Sequence, residues 1–308
     1  MFVYWSAEGI ARRGANLTDD RTDGGTEEIR IGAQRFPVIT RPMLRCFSSL
    51  GCPDATLDAA LALAEKHRIR AVELRSLGGT VELADYFTAQ FGSPEALAEK
   101  LRAGGAPVKI AALNASLHLV GATDAERAQL VALAPWADAL GVSRLRVFDG
   151  GQHADAADFA AAGETLRWWR ELRAERGWQV DLMVETHDSL TTAAAVQRFL
   201  AALPGTAILW DAHHTWRKGG EDPVATWRAI RASVVHVHVK DSVSVPSARH
   251  PFTYVLPGDG GFPIAPLVAT LRADRFAGSV SLEWEKMWHP YLPPLEDALR
   301  AAAERSWW

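Results

Sequence analysis

Short apolar runs recur along the chain from residue 44 onward and alternate with longer stretches rich in Ala, Leu and Arg. The runs fall at about 44–48, 70–75, 108–114, 144–148, 180–185, 206–211, 234–240 and 279–283. Such near-continuous apolar segments bounded by turn formers read as strands buried on both faces. The stretches between them predict helices at about 56–67, 93–103, 124–140, 155–176, 190–202, 222–231, 263–273 and 295–304. Asp54 or Thr56, Asp124, Asp155 and Ser189 stand where N-caps belong. Eight strands alternating with eight helices predict a single α/β domain of the (β/α)8 TIM-barrel class rather than an open doubly wound sheet. No GxGxxG opens the first unit, which counts against a dinucleotide fold.

The first 39 residues break the rhythm. Ala15 to Thr26 is polar, turn-rich and aperiodic and reads as a loop or tail, while Glu28–Ile31 and Arg35–Val38 flank Gly32-Ala33 like a small hairpin. The expected organisation is an N-terminal extension over 1–39 and a barrel over 40–308, with Met43 as an alternative start of the fold.

In a strand, side chains alternate between faces. Within Val234–Asp241 (VVHVHVKD) this places His236, His238 and Lys240 on one face and Val235, Val237 and Val239 on the other. Three polar side chains inside a barrel need partners, because a buried unsatisfied polar group costs about 1–3 kcal/mol. Function in such a barrel gathers at the carboxyl ends of the strands. The last four strands end LMVE at Glu185, ILWD at Asp211, VHVH at His238 and VSLE at Glu283, each preceded by an outward apolar residue (Val184, Trp210, Val237, Leu282). Two Glu, one Asp and one His at similar height form a hard, oxygen-rich set suited to one divalent ion, Mn, Mg or Co, with Zn also admissible. The competing reading is four separate core polar residues held by hydrogen bonds.

Weaker candidates surround this set. His187 lies on the face of Glu185, placed to touch substrate or to orient that carboxylate. Lys240 stands in the same relation to His238, free to polarise an oxyanion or to pair with Glu285 or Asp241. His236, one layer deeper, reads as a satisfied core histidine. Glu73 and Arg146 are expected to pair across the first half of the barrel, with Glu73 also a candidate substrate contact. His118, following Asn114 and Ser116, is a further candidate contact. The loop 242–261 reads as a lid or substrate-selecting loop, with Arg217 and Lys218 near it as possible anion contacts.

Composition narrows the partners. The chain has 308 residues, 48% hydrophobic and 23% charged, normal for one barrel with additions. A net charge of -4 argues against nucleic-acid binding driven by overall positive charge. No apolar run approaches the ~20 residues of a membrane span, and the start lacks a secretory apolar segment. Cys46 and Cys52, without a CxxC, read as free thiols of a cytoplasmic protein. A homo-oligomer stays open, with Trp168-Trp169, Trp227 and Trp307-Trp308 as helix packing or subunit surface.

SSLGCP (48–53), AVELR (71–75), VETHD (184–188), DAHH (211–214), HVHVKD (236–241) and SLEWEK (281–286) resemble the xylose-isomerase-like TIM barrels over roughly residues 44–304. That group holds sugar-phosphate isomerases and epimerases, inosose dehydratases and, more distantly, the endonuclease IV type of nuclease. The resemblance implies that Glu185, Asp211, His238 and Glu283 bind the metal. It also implies that Glu185 and Glu283 double as the acid/base pair, as in ketose 3-epimerases, and that His214 hydrogen-bonds a substrate oxygen. The implied function is a metal-dependent isomerase or epimerase of a sugar, keto-sugar or cyclitol, working through a metal-stabilised enediolate. An inosose-type dehydratase and a non-catalytic carbohydrate-binding barrel are the alternatives. The extra histidines of a three-metal nuclease are missing: strand three carries Asn114 and strand four ends Phe148-Asp149. Ser244 stands where 3-epimerases usually place an arginine, with Arg249 further on.

Overall fold

Every apolar run of the alternation becomes a strand of one closed parallel barrel. The computed structural model describes residues 27–31, 34–38, 43–105, 108–305 and 307. The polar segment Ala15 to Thr26 lies outside them. Ahead of the barrel, β1 (Glu27–Ile31) and β2 (Gln34–Val38) pair antiparallel with Glu27 opposite Val38, as the hairpin pattern around Gly32-Ala33 anticipates. They belong to a unit spanning Met1–Pro42, distinct from the unit Met43–Trp308.

The barrel strands are β3 (Leu44–Ser48), β4 (Ala71–Leu74), β5 (Lys109–His118), β6 (Arg144–Phe148), β7 (Asp181–Glu185), β8 (Ala207–Asp211), β9 (Val234–Val239) and β12 (Ser279–Leu282). β12 pairs in parallel with both β9 and β3, which closes the ring. Between β9 and β12 a short antiparallel ribbon, β10 (Asp241–Val243) with β11 (Thr253–Val255), structures part of the loop expected to be irregular.

The helices are α1 (Leu57–Lys66), α2 (Leu83–Phe91), α3 (Pro94–Ala103), α4 (Asp124–Ala139), α5 (Ala156–Arg176), α6 (Ala193–Ala202), α7 (Ala212–Arg217), α8 (Pro223–Ile230), α9 (Ile264–Ala273) and α10 (Leu295–Glu304). α2 and α7 fall outside the alternation read from the sequence: the first lacks a capping side chain, and the second is capped by Asp211, which also ends β8. Two expected caps also shift. Thr123, not Asp124, caps α4 in a reciprocal box with Glu126, and Thr192, not Ser189, caps α6. Ser189 instead donates its hydroxyl to Asp149 at 2.8 Å.

Outward residues Val184, Trp210, Val237 and Leu282 join the main apolar core between strands and helices. Ala112, Met183, Ala207 and Leu209 form a separate cluster with Val235. Burying each large apolar side chain contributes about 1.5–3 kcal/mol, so a one-residue slip of any strand, which exchanges its two faces, is strongly disfavoured. That locked register is what brings the polar residues together at the carboxyl ends of the strands. Among the described residues no helix is long and apolar enough to cross a membrane.

Candidate active site

One ligand atom each from Glu185, Asp211, His238 and Glu283 lies within 4.8 Å of the others, and all four side chains are buried. They arrive from the ends of β7, β8 and β9 and from the residue after β12; Asp211 and His238 are register partners. Glu185 and Glu283 thus approach from either flank of the β8–β9 pair.

Each member has a second anchor. Arg146 Nε lies 3.2 Å from Glu185 Oε2. Asp211 Oδ1 caps α7 by accepting from the backbone N–H of His214 at 2.9 Å. Lys240 Nζ sits 2.8 Å from Asp211 Oδ2 and 2.5 Å from Glu285 Oε1, and it also bonds Glu283. His238 Nε2 faces Glu73 at 2.9 Å, and His236 Nε2 faces the same carboxylate at 2.7 Å. The expected Glu73–Arg146 pair is therefore not formed. The shear of the barrel gives Glu73 two histidines from β9, while Arg146 on β6 reaches the neighbouring strand's Glu185. Nor does Lys240 pair with Asp241, whose carboxylate accepts backbone N–H groups of Gly258, Gly260 and Phe262.

Burial disfavours the charge on Glu73, but His238 and His236 outweigh it and hold the carboxyl well below the usual range. Glu73 is thus an ionised acceptor facing both rings. His238 then turns Nδ1 toward Glu283 Oε2 at 3.3 Å and Glu185 Oε1 at 3.5 Å. Burial works against a charge on this ring, but Glu283, Glu73 and Glu185 hold its pKa well above the ordinary imidazole value. Without an ion, Nδ1 therefore carries a proton toward the two carboxylates, and a bound cation would take that proton's place. The neighbouring ligand atoms are held by cations of the chain itself, Glu185 Oε2 by Arg146 at 3.2 Å and Asp211 Oδ2 by Lys240 at 2.8 Å. Burial pushes Asp211 up to about 6, Lys240 opposing and Glu283 and Glu185 adding to the rise. Three carboxylates and one imidazole converging within 4.8 Å from four neighbouring strands form an oxygen-rich set that fits a divalent cation.

The mouth beside this cluster opens into a cavity of about 360 Å³ walled by His187, His214, Tyr254, Glu285, Trp288 and His289, among others. His214 is buried, its Nδ1 3.1 Å from the Thr186 carbonyl, and its ring lies 5.0 Å from that of His187. His187 Nδ1 meets Asp188 at 2.8 Å. His118 sits outside this wall: it bonds Glu126 at 2.7 Å and stacks on Phe148. Glu73, a candidate substrate contact from the sequence, has no exposed surface and touches the two histidines instead. Lys218 donates to the His187 carbonyl at 2.7 Å, whereas Arg217 turns to Ser244 and lies over Trp216. Trp284 is buried with its Nε1 donating to the Pro293 carbonyl.

Residues 61–308 match the family model described as xylose isomerase-like TIM barrel. The chain belongs to that family. No curated protein sequence gives a significant match. Among solved structures, this xylose isomerase-like barrel is similar to the probable 3-DHS dehydratase AsbF of Bacillus anthracis, with TM-score 0.69, 18% identity, and 85% and 98% of the two chains covered. It is similar to a D-psicose 3-epimerase, with TM-score 0.62, 16% identity, and 85% and 98% covered. A xylose isomerase domain protein from Planctomyces limnophilus gives TM-score 0.61, 16% identity, and 86% and 94% covered. At these identities the likeness shows the fold, and the residues themselves must carry the chemistry.

Two groups at the mouth were not singled out from the sequence. Tyr254 and His289 reach the cavity from the β11 ribbon and the 283–294 loop, which strand periodicity does not place.

Proposed function

We propose that this barrel is a divalent-metal-dependent isomerase or epimerase acting on a sugar, keto-sugar or cyclitol. The convergence of Glu185, Asp211, His238 and Glu283 within 4.8 Å carries the reading. These four residues would hold Mn²⁺, Mg²⁺ or Co²⁺, with Zn²⁺ also compatible. A bound ion there supplies Lewis acidity toward a carbonyl oxygen and its neighbouring hydroxyl, which acidifies the C–H between them.

The chain's own groups do the proton work. Glu185 and Glu283 flank the β8–β9 pair, so one carboxylate removes the proton from one face of a carbon and the other returns it to the opposite face. Arg146 orients Glu185 and Lys240 orients Glu283. His214, on the cavity wall, hydrogen-bonds a substrate oxygen, and His187 beside it contacts the same molecule. Residues 1–39 are an extension to this catalytic barrel, and the free thiols of Cys46 and Cys52 suit a reducing cytoplasm.

A dehydratase reading rests on the His187–His214 ring pair, where a histidine proton can leave with a β-hydroxyl. Elemental mass spectrometry of wild type and Asp211→Ala, before and after Mn²⁺ loading, tests the metal site: about one ion per chain is expected, lost in the variant. No bound metal even after loading sinks the reading. Product mass then separates the chemistries: an isomer keeps the substrate's mass, a dehydration product loses water, and binding without turnover marks a non-catalytic barrel.

A further inference from the structure

We infer that the mouth cavity holds an oxyanion of the substrate between Lys218 and Arg249, so that the compound turned over carries a carboxylate or a phosphate ester at the end remote from the reacting carbon. This deepens the proposed function and rests on it for the position of that carbon.

Lys218 and Arg249 are exposed, and both stand on the wall of the cavity of about 360 Å³. Lys218 is the C-cap residue of α7, and its Nζ is pinned to the wall by the His187 carbonyl at 2.7 Å. An ammonium has three donors, so two stay available there. Arg249 is carried by a closed turn: the Ser247 N–H donates to the His250 carbonyl at 2.9 Å, and the His250 N–H donates to Ser247 Oγ at 3.2 Å. The His250 ring stacks on Phe252 at 4.8 Å. Arg217 donates to Ser244 Oγ at 3.1 Å, which ties the segment ahead of the turn to α7.

Neither cation has a carboxylate partner among the described residues, and the Arg249 side chain makes no hydrogen bond to them. Exposed cations elsewhere find one: Lys100 with Asp58 at 2.6 Å, Arg231 with Asp274 at 2.7 Å and Arg305 with Asp259 at 2.9 Å. Glu285, the one acid among the residues lining this cavity, is already engaged, its Oε1 taken by Lys240 at 2.5 Å and by the Tyr254 hydroxyl at 2.9 Å. Lys218 and Arg249 are therefore uncompensated. His250 and His289 add donors rather than charge: burial holds both imidazoles below the usual value, and Arg249 and Lys240 add to the fall against the pull of Glu285. A cleft lined by one sign of charge concentrates the opposite sign. A guanidinium fork beside an ammonium matches the oxygens of a carboxylate or phosphate. The inner end of the cavity meets the reacting centre. There the backbone N–H of His214 donates to Asp211 at 2.9 Å, and Lys240, bonded to Glu285, reaches Asp211 at 2.8 Å. The oxyanion at the rim and the reacting carbon at the metal set thus occupy two ends of one cavity.

The test uses the full chain, metal-free and Mn²⁺-loaded, in calorimetric titrations. Wild type is compared with Arg249→Met, with the double variant Lys218→Met/Arg249→Met and with the charge-keeping double variant Lys218→Arg/Arg249→Lys. D-glucuronate and D-glucose 6-phosphate are each titrated against D-glucose at low and at high sodium chloride. Wild type is expected to bind at least one charged sugar about tenfold more tightly than glucose, the tighter of the two naming the oxyanion. That margin is expected to shrink at high salt, because both cations are exposed. The methionine double variant is expected to bind charged and neutral sugars alike, while the charge-keeping variant retains most of the margin. Should the methionine double variant fail to fold, Arg249→Met, whose side chain holds no described residue, is expected to lose about threefold. No preference for either charged sugar over glucose, or a margin unchanged in the methionine variants, overturns the inference. A charged sugar held by the metal alone shows its margin only after Mn²⁺ loading and equally in every variant, which overturns it as well. Metal content is measured separately, and the metal-free titrations read the two cations whether or not an ion binds. Failure of the metal reading and failure of this one are therefore told apart.

Discussion

Glu73 holds His238 from behind: its carboxylate lies 2.9 Å from Nε2, so that Nδ1 of the same ring faces Glu185 and Glu283. A carboxylate behind a ligating imidazole fixes the tautomer and raises the basicity of the free nitrogen. Glu73→Gln is expected to weaken Mn²⁺ binding about 10–100-fold with the barrel still folded. Calorimetric titration of the metal-free variant checks this, and an unchanged affinity would show that His238 does not use Nδ1.

Glu185→Gln and Glu283→Gln remove the two carboxylates assigned to proton transfer. Each is expected to lower turnover by about 10²–10⁴-fold, the usual weight of a positioned acid or base. Each variant should also bind metal less tightly, since the amide is a poorer donor. Exchange of the substrate C–H with deuterated water reports the proton step directly. Full exchange in either variant would remove that residue from the mechanism.

Lys240 is 1% exposed and bonds Asp211, Glu283 and Glu285. Burial works against its charge, yet those three carboxylates hold its pKa well above the ordinary lysine value. Removing one partner of such a cluster costs about 3–5 kcal/mol. Lys240→Met is expected to destabilise the metal-free protein by that order and to regain part of the loss on Mn²⁺ loading, because a second cation then offsets the carboxylates. Denaturant melts with and without Mn²⁺ measure both numbers, and a variant equally stable in both conditions contradicts the shared role.

How much of this was legible in the sequence follows from which physical rule each feature obeys. The alternation in VVHVHVKD, together with the acid ends of β7, β8 and β12, depends on strand period alone, and it placed four buried polar side chains in one cluster. The partner of Glu73 depends on barrel shear, which no single strand encodes, so the pairing with Arg146 was misjudged. α7 was hidden because Asp211 serves at once as strand end and helix cap.

Cys52, packed against the main apolar core just after β3, gives a chemical check on the turn it sits in. Burial pushes its thiol up to about 12, and Cys46 is raised as well, chiefly by burial and then by Glu73. At pH 8 only about 10⁻⁴ of the Cys52 thiol is thiolate, the reactive form. Iodoacetamide is expected to leave both thiols unmodified in the native protein and to alkylate both in urea. Intact-mass measurement over one hour decides it, and fast native labelling of Cys52 would mean that the 49–56 turn opens.

Asp241 fastens the turn that follows β11. Its Oδ2 accepts from the N–H groups of Gly258 at 2.9 Å and Gly260 at 3.0 Å, and its Oδ1 accepts from Phe262 at 2.9 Å. The approach is close enough to require glycine at 260, since a Cβ there would lie 2.2 Å from Asp241 Oδ1. Asp241→Asn puts an amide N–H₂ against backbone donors and leaves buried groups unpaired, at about 1–3 kcal/mol each. Gly260→Ala expels the same carboxylate by contact, and its Cβ would also lie 2.6 Å from the Ser242 carbonyl oxygen. Both variants are therefore expected to speed amide exchange over residues 256–262, Gly260→Ala the more because it also presses on the Ser242 carbonyl. The double variant should fall short of the sum, because the Asp241 contact is lost only once. Exchange that adds in full would show that the Ser242 contact, and not the Asp241 carboxylate, governs the effect of Gly260→Ala.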